Sequence, residues 1–327
     1  MKNLSNGIIS ISVKEHGAEL SSIKCGGREY LWQADPEFWA RHSPVLFPIV
    51  GSVWNKEYRS HGKVFNLGQH GFARDMDFVL ESQTENEIWF RLESSEATLE
   101  KYPYSFVLQI GYRIEGRCIS VMWKVTNPSG VAAAEKGAGG AGEDLYFQIG
   151  AHPAFHWPML DSDTIDKGTS AMKEVLKSSN RRGWFKLGLG SSGAVQEGGV
   201  SGLRKSVIGS GGCFDPALSC YQSVDQDGYI ALDTASFDKD AMVFEDGQVN
   251  TVTLCAQDKT PYLTIRYNAP VIGLWSPPGK NAPFVCIEPW YGRADSCNYN
   301  GSYEQKPWIN RLPSGETFEG GYTIEIE

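Results

Sequence analysis

A chain of 327 residues with 41% hydrophobic and 21% charged residues can bury a substantial core, which excludes a disordered chain. A formal net charge of -9, from 39 acidic and 30 basic residues with no basic run, argues against nucleic acid and anionic membrane surfaces as partners. Seven cysteines scattered without a Cys-x-x-Cys pair fit neither a disulfide framework nor a zinc site, and no stretch reaches the ~20 apolar residues of a membrane helix, so the expectation is a soluble cytoplasmic protein.

Ile9, Ile11 and Val13 alternate with Ser10 and Ser12, the period of an extended strand with one buried face. Ile23–Cys25 and Tyr30–Trp32 flank Gly26-Gly27, a pair suited to the positive φ angles of a tight hairpin. A short helix is expected around Glu37–Ala40. Ser43–Gly51 is apolar but carries two prolines, so it reads as a loop or an edge strand.

The strand signal is clearest from Phe78 through Leu92 and then from Phe106 to Val125. There Phe106, Leu108, Ile110, Tyr112 and Ile114 run in period two to a Glu115-Gly116 turn, and Ile119, Val121, Trp123 and Val125 answer on the return. This long hairpin predicts large sheets packed face to face.

Ala132–Glu143 is rich in glycine and alanine and reads as a flexible surface loop. It lacks a Gly-Lys-Ser/Thr phosphate-loop ending, which argues against nucleotide binding. A second glycine- and serine-rich region, Lys186–Gly212, reads as loops and short strands decorating the fold. Strands return at Tyr229–Leu232, Met242–Phe244, Val249–Leu254, Tyr262–Tyr267, Ile272–Trp275, Val285–Ile287 and Tyr322–Ile326. No βαβ alternation is present, so the prediction is an all-β, antiparallel sheet-on-sheet fold with a few short helices, as one domain over 1–327.

Two segments could carry acid–base chemistry. In Phe147–Trp157 and in Phe284–Tyr291, His152 and Glu288 each precede a proline, whose ring pushes the preceding residue out of helical geometry and fixes its direction. Each is expected at a strand end within apolar and aromatic neighbours, and burial would raise the glutamate toward a base poised near neutrality. His70 lies in Gln69-His70-Gly71, where glycine permits close approach of a ligand or of backbone; a loop-capping role is the alternative. His156 should share a side with His152, as a surface or supporting residue, whereas His16, His42 and His61 read as structural or solvated. Asp240, with Asp238 as a rival, ends a polar turn before a strand.

No two histidines share a helix face and no carboxylate stands at ligand spacing beside His70 or His152, so no metal is expected. No Gly-x-Ser-x-Gly elbow is present. Ten tryptophans and fourteen tyrosines suit a sugar ligand, whose apolar faces stack on such rings.

Gln69-His70-Gly71-Phe72-Ala73-Arg74, Ile149-Gly150-Ala151-His152-Pro153-Ala154-Phe155 and Cys286-Ile287-Glu288-Pro289-Trp290 together resemble the aldose 1-epimerase (mutarotase) family, especially its bacterial galactose mutarotase-like branch, over nearly the whole chain. The resemblance implies a large antiparallel β-supersandwich without cofactor, acting on a small sugar as a monomer or homodimer. It also implies Glu288 as the general base at the anomeric hydroxyl, His152 as the general acid at the ring oxygen, His70 assisting there, and Asp240 binding substrate. Ser52 follows Gly51 where many relatives carry a substrate-binding arginine. Contacts to sugar hydroxyls are therefore expected from Arg74 and Arg41, with Trp290 as a further binding residue. The implied activity is interconversion of hexose anomers. A sugar-phosphate 1-epimerase using Arg41, Arg59 and Arg74, a carbohydrate-binding protein without turnover, and a glycosidase are the alternatives.

Overall fold

The computed structural model describes residues 1–128, 142–190, 195–197 and 200–327, with backbone alone at 195–197, 200–201 and 219. Apart from residues 142 and 143, the glycine-rich segment 132–143 lies outside the described residues. The protein is built of large antiparallel sheets, as the period-two patterns predict, in the β-supersandwich that the family resemblance implies.

One nine-stranded sheet runs from Tyr229–Asp233 through Arg181–Leu189, Val249–Cys255, Pro261–Tyr267, Thr317–Ile326, Cys118–Thr126, Val107–Glu115 and Glu87–Glu93 to Val79–Gln83. The long hairpin sits in it with the expected register, Val107 opposite Thr126 and Glu115 opposite Cys118. Along Cys118–Thr126 every second side chain is buried, so one face points into the core and the other stays more open.

The second nine-stranded sheet differs. Its spine runs Val200–Ile208, Met242–Phe244, Val271–Trp275, Phe284–Tyr291, Ile149–Ala151 and Val45–Leu46. Phe284–Tyr291 is buried at seven successive positions, so it is covered on both faces and carries a continuous apolar run. Side chains of both large sheets and of the four-stranded N-terminal sheet share one core cluster.

Val45–Leu46 is an edge strand, where the prolines of Ser43–Gly51 are tolerated. Gly26 and Gly27, at φ 56° and 80°, make the tight turn that pairs Lys24 with Glu29. Two expectations are corrected. Glu37–Ala40 is not a helix. The chain makes a single turn, with the amides of Phe38 and Trp39 donating to the Asp35 carbonyl, because Asp35 also captures the Glu37 amide with its side chain. Part of Lys186–Gly212 is sheet rather than decoration, since Arg181–Leu189 and Val200–Ile208 are long strands. Among the described residues no helix is long and apolar enough to cross a membrane.

Trp290 lies flat across the centre of the second sheet. A Cβ on Gly273 would stand 2.6 Å from its ring, and one on Gly150 would stand 2.6 Å from its Cδ1. Only glycine on both neighbouring strands leaves room for the indole. Gly273→Ala should therefore cost about 1–3 kcal/mol as overpacking, read as a lower urea midpoint at unchanged slope. Gly68→Ala, where nothing lies within 4 Å, is the control and should stay within about 0.5 kcal/mol.

Candidate active site

Glu288 lies inside its strand and not at the end, which corrects the sequence expectation. On one side Glu288 pairs with Gly273. On the other side the partner strand is broken: Ile149–Ala151 pairs with Trp290–Tyr291, Ala154–His156 pairs with Phe284–Cys286, and His152-Pro153 falls between. Pro289 has no amide to donate, and it stands opposite this gap, where no ladder bond is missed. The two X-Pro steps thus meet at one interruption, and His152 and Glu288 are left facing each other across it.

His152 Nε2 stands 3.3 Å from Glu288 Oε2, and the side chains are 9% and 2% exposed. Neither His152 Nδ1 nor Glu288 Oε2 makes a well-formed hydrogen bond. The His152 ring is enclosed by aromatic partners: Trp39 stacks on it at 4.7 Å, while Trp275 and His70 meet it near 90°, at 5.3 Å and 5.5 Å.

His70 is held by a reciprocal pair of bonds. Its amide donates to Gly51 O at 2.8 Å, and its Nδ1 accepts from the Gly51 amide at 3.1 Å. A backbone N–H can only donate, so the neutral ring carries its proton on Nε2, as a donor. Gly71, at φ 70°, is required because a Cβ there would stand 2.2 Å from Phe47 O. The close approach that this glycine permits is to backbone.

The three residues line one cavity of about 340 Å³ together with Asp240, Arg74 and Trp290. Asp240, at φ 71°, reaches it from the turn before Met242–Phe244, whereas its rival Asp238 is exposed and lines a different, smaller cleft. Arg74 donates to Gln69 O and lies 3.6 Å from Asp75. Arg41 is not on the cavity wall. It pairs with the same Asp75 at 2.7 Å. Ser52 is buried beneath Gly212, whose missing Cβ would sit 3.2 Å from Ser52 Oγ.

Sequence reading missed Trp39, Trp275, Ile208, Gly212 and Phe214, which also line the wall. Ile208 and Gly212 come from the region expected to be decoration, and no motif singles out either tryptophan.

Burial sets the charges. It pushes His152 down to about 3, helped by Arg74 and Arg41, and it pushes His70 well below the usual imidazole range, helped by His152 and Arg74. Glu288 is raised well above the ordinary carboxylate range, first by burial and then by Asp240. The Trp290 N–H favours the charged carboxylate but is engaged by Ala151 O at 3.2 Å. Burial thus favours the arrangement with a proton on Glu288 beside a neutral His152 over the ion pair.

The fold also brings Cys286 close, a neighbour that sequence spacing did not reveal. Ligand atoms of His152, Cys286 and Glu288 lie within 4.8 Å of one another. Burial and Glu288 push the Cys286 thiol well up, so this set would have to release two protons to bind a metal ion.

His156 is fully buried against Trp32 and lines no part of the cavity, contrary to the expected surface or supporting place. His156 stands four residues after His152, beyond the unpaired His152-Pro153 step, and its ring packs on Trp32 instead of facing the cavity. Burial lowers His156 to about 4; the Pro283 carbonyl offsets this only partly, and neither ring nitrogen has a hydrogen bond of good geometry. As pH falls from ~6.5 toward 4, the unfolded chain binds a proton here that the folded chain refuses, so stability is lost on acidification. The stability difference between pH 7.5 and pH 5 should shrink by about 2 kcal/mol in His156→Leu, measured by urea unfolding at both pH values.

A family model described as aldose 1-epimerase matches residues 3–182. The chain is 30% identical over 330 residues to the chromosomal protein LacX of Lactococcus lactis subsp. lactis, covering 99% of this chain and 98% of that protein. A solved galactose mutarotase related enzyme from Lactobacillus acidophilus is 31% identical with a TM-score of 0.80, covering 100% of this chain and 97% of that one. A galactose mutarotase-like protein from Lactobacillus casei ATCC 334 shares the fold at 23% identity, with a TM-score of 0.82 and complete coverage of both chains.

Proposed function

Since the chain belongs to the aldose 1-epimerase family, we propose that it interconverts the α and β anomers of a free hexose by opening and reclosing the sugar ring, with Glu288, His152 and His70 as the catalytic groups. The family places it among isomerases acting on sugars. The observation that supports the finer reading is the Glu288–His152 pair, 3.3 Å apart, at the wall of a cavity large enough for a hexose.

Ring opening removes the proton from the anomeric hydroxyl, breaks the C1–O5 bond and puts a proton on O5. The aldehyde turns about C1–C2, and the reverse steps close the ring from the other face. Proton number is conserved throughout, so a pair that holds one proton suffices. Glu288 as carboxylate takes the hydroxyl proton, and His152 as imidazolium supplies the one that O5 needs. This is the tautomer reached when a proton moves from Glu288 to His152. His70, through Nε2–H, donates a hydrogen bond on the ring-oxygen side. Asp240 and Arg74 bind hydroxyls, and Trp290 offers a flat apolar surface. Arg41, paired with Asp75 away from the wall, has no direct role in this reading.

A phosphorylated substrate fits less well. Arg59 and Arg41 lie off the cavity wall, and Arg74 already leans on Asp75. Polarimetry of freshly dissolved α-glucose, α-galactose and a hexose 6-phosphate, corrected for the uncatalysed rate, should show acceleration for a free hexose. Sugar binding without acceleration would instead indicate a carbohydrate-binding protein. Glu288→Gln and His152→Asn should each lower the rate about 10²-fold or more while sugar affinity is retained.

The pH profile should be a plateau and not a narrow peak between the ordinary values of ~4.3 and ~6.5. The acid limb is uptake of a second proton by the pair, which burial holds down to about 3. The alkaline limb is loss of the shared proton, which burial pushes above the carboxylate range. Rates measured from pH 4.5 to 9 test this, and a sharp optimum near pH 5.5 would contradict it.

A further inference from the structure

We propose that Trp39 is a positioning residue that holds His152 by face-to-face stacking and favours its protonated form. The proposal rests on the reading of His152 as the acid. The ring centroids are 4.7 Å apart with 27° between the planes, so the π-face of the indole covers one face of the imidazole. That face is electronegative and attracts a cation, most strongly where water is excluded.

The charged and titratable groups around His152 divide into two sets. Arg74 and Arg41 oppose its protonation, and His70, kept neutral by burial, adds no negative charge. Cys286 is protonated, and Asp240 acts on Glu288. Glu288 faces the ring at 3.3 Å, but burial favours its protonated form. The backbone of His152 itself and the Trp39 face favour the imidazolium, the form that must exist when O5 takes its proton.

Trp39 is fixed before any sugar arrives. Its carbonyl accepts from Trp32 Nε1 at 2.9 Å, and the Phe38 carbonyl accepts from Lys280 Nζ at 2.9 Å. Asp35 and Glu37 of the same turn are tied to Thr169 and Lys173 of the Thr169–Lys177 helix. A preorganised face loses little entropy when the ring beneath it becomes charged. A plain sugar platform is the rival role, but one face of Trp39 is already covered by His152.

The test compares wild type, Trp39→Leu and Trp39→Phe. In ligand-free protein labelled with ¹⁵N-histidine, with His152 assigned by difference from His152→Asn, the His152 titration is followed from pH 8 to the acid limit of folding. Trp39→Leu should lower its midpoint by about 0.5–1.5 pH units and lower kcat about 3- to 30-fold with little change in KM, while Trp39→Phe keeps most of both. An unchanged midpoint, or a raised KM at constant kcat, would overturn the proposal. Should Trp39→Leu not fold, wild-type protein carrying fluorinated tryptophan decides: fluorine withdraws charge from the ring face at nearly constant shape, so the midpoint should fall, and an unmoved midpoint overturns the proposal. A midpoint that falls in a protein unable to accelerate mutarotation keeps the stacking role and removes the proposed reaction. Mutarotation with an unmoved midpoint does the reverse.

Discussion

The site depends on a hydrogen-bond ladder that cannot be completed. Pro153 and Pro289 have no amide proton, and a proline inside a central strand would ordinarily leave a neighbouring carbonyl unmatched. Here the two prolines meet, because the strand beside Phe284–Tyr291 is interrupted at His152-Pro153. The unbroken pairing with Val271–Trp275 keeps the Glu288 strand straight, and the Ile287 amide reaches across to Pro153 O at 3.3 Å. The backbone that cannot pair is thus confined to two residues, and their neighbours in sequence are the histidine and the carboxylate.

Such a gap in the middle of a doubly covered sheet buries both side chains, and burial decides the electrostatics. A carboxylate and an imidazole at 3.3 Å in water would form an ion pair, but burial penalises both charges. The neutral arrangement wins, with Glu288 raised and His152 lowered. The two tautomers differ by one proton moved a short distance, so the energy needed to reach the charged form is spent inside the site. Groups that stabilise imidazolium or carboxylate there count for more than they would at a surface.

How much of this was legible follows from what each signal encodes. Period-two alternation located the Val107–Glu115 and Cys118–Thr126 hairpin because it reports a strand with one buried face. The X-Pro steps picked out His152 and Glu288 because proline acts on its immediate neighbour, a local effect that sequence records. Placement of Glu288 at a strand end failed for the complementary reason: whether a proline ends a strand depends on the partner, and the partner gap is a tertiary fact. Cys286 beside His152, Trp39 upon it and Gly212 above Ser52 are cross-chain contacts with no local signature. His156 was misplaced because its surroundings are set by packing on Trp32, again a contact with no local signature.

The elements around the cavity show why these contacts had to come from far apart. Its floor is Trp290, seated where Gly150 and Gly273 leave space on adjacent strands. His70 is aimed by Gly51, and Gly51 in turn has no room for a side chain, since a Cβ there would stand 2.6 Å from Ala294 Cβ. Trp39 enters from a turn tied to the Thr169–Lys177 helix. Each catalytic candidate is therefore oriented by a residue on another segment, and those segments share the packed interior of the sheets. A side chain held in this way keeps its direction only while the surrounding strands stay in register, so the precision of the site is a property of the whole core.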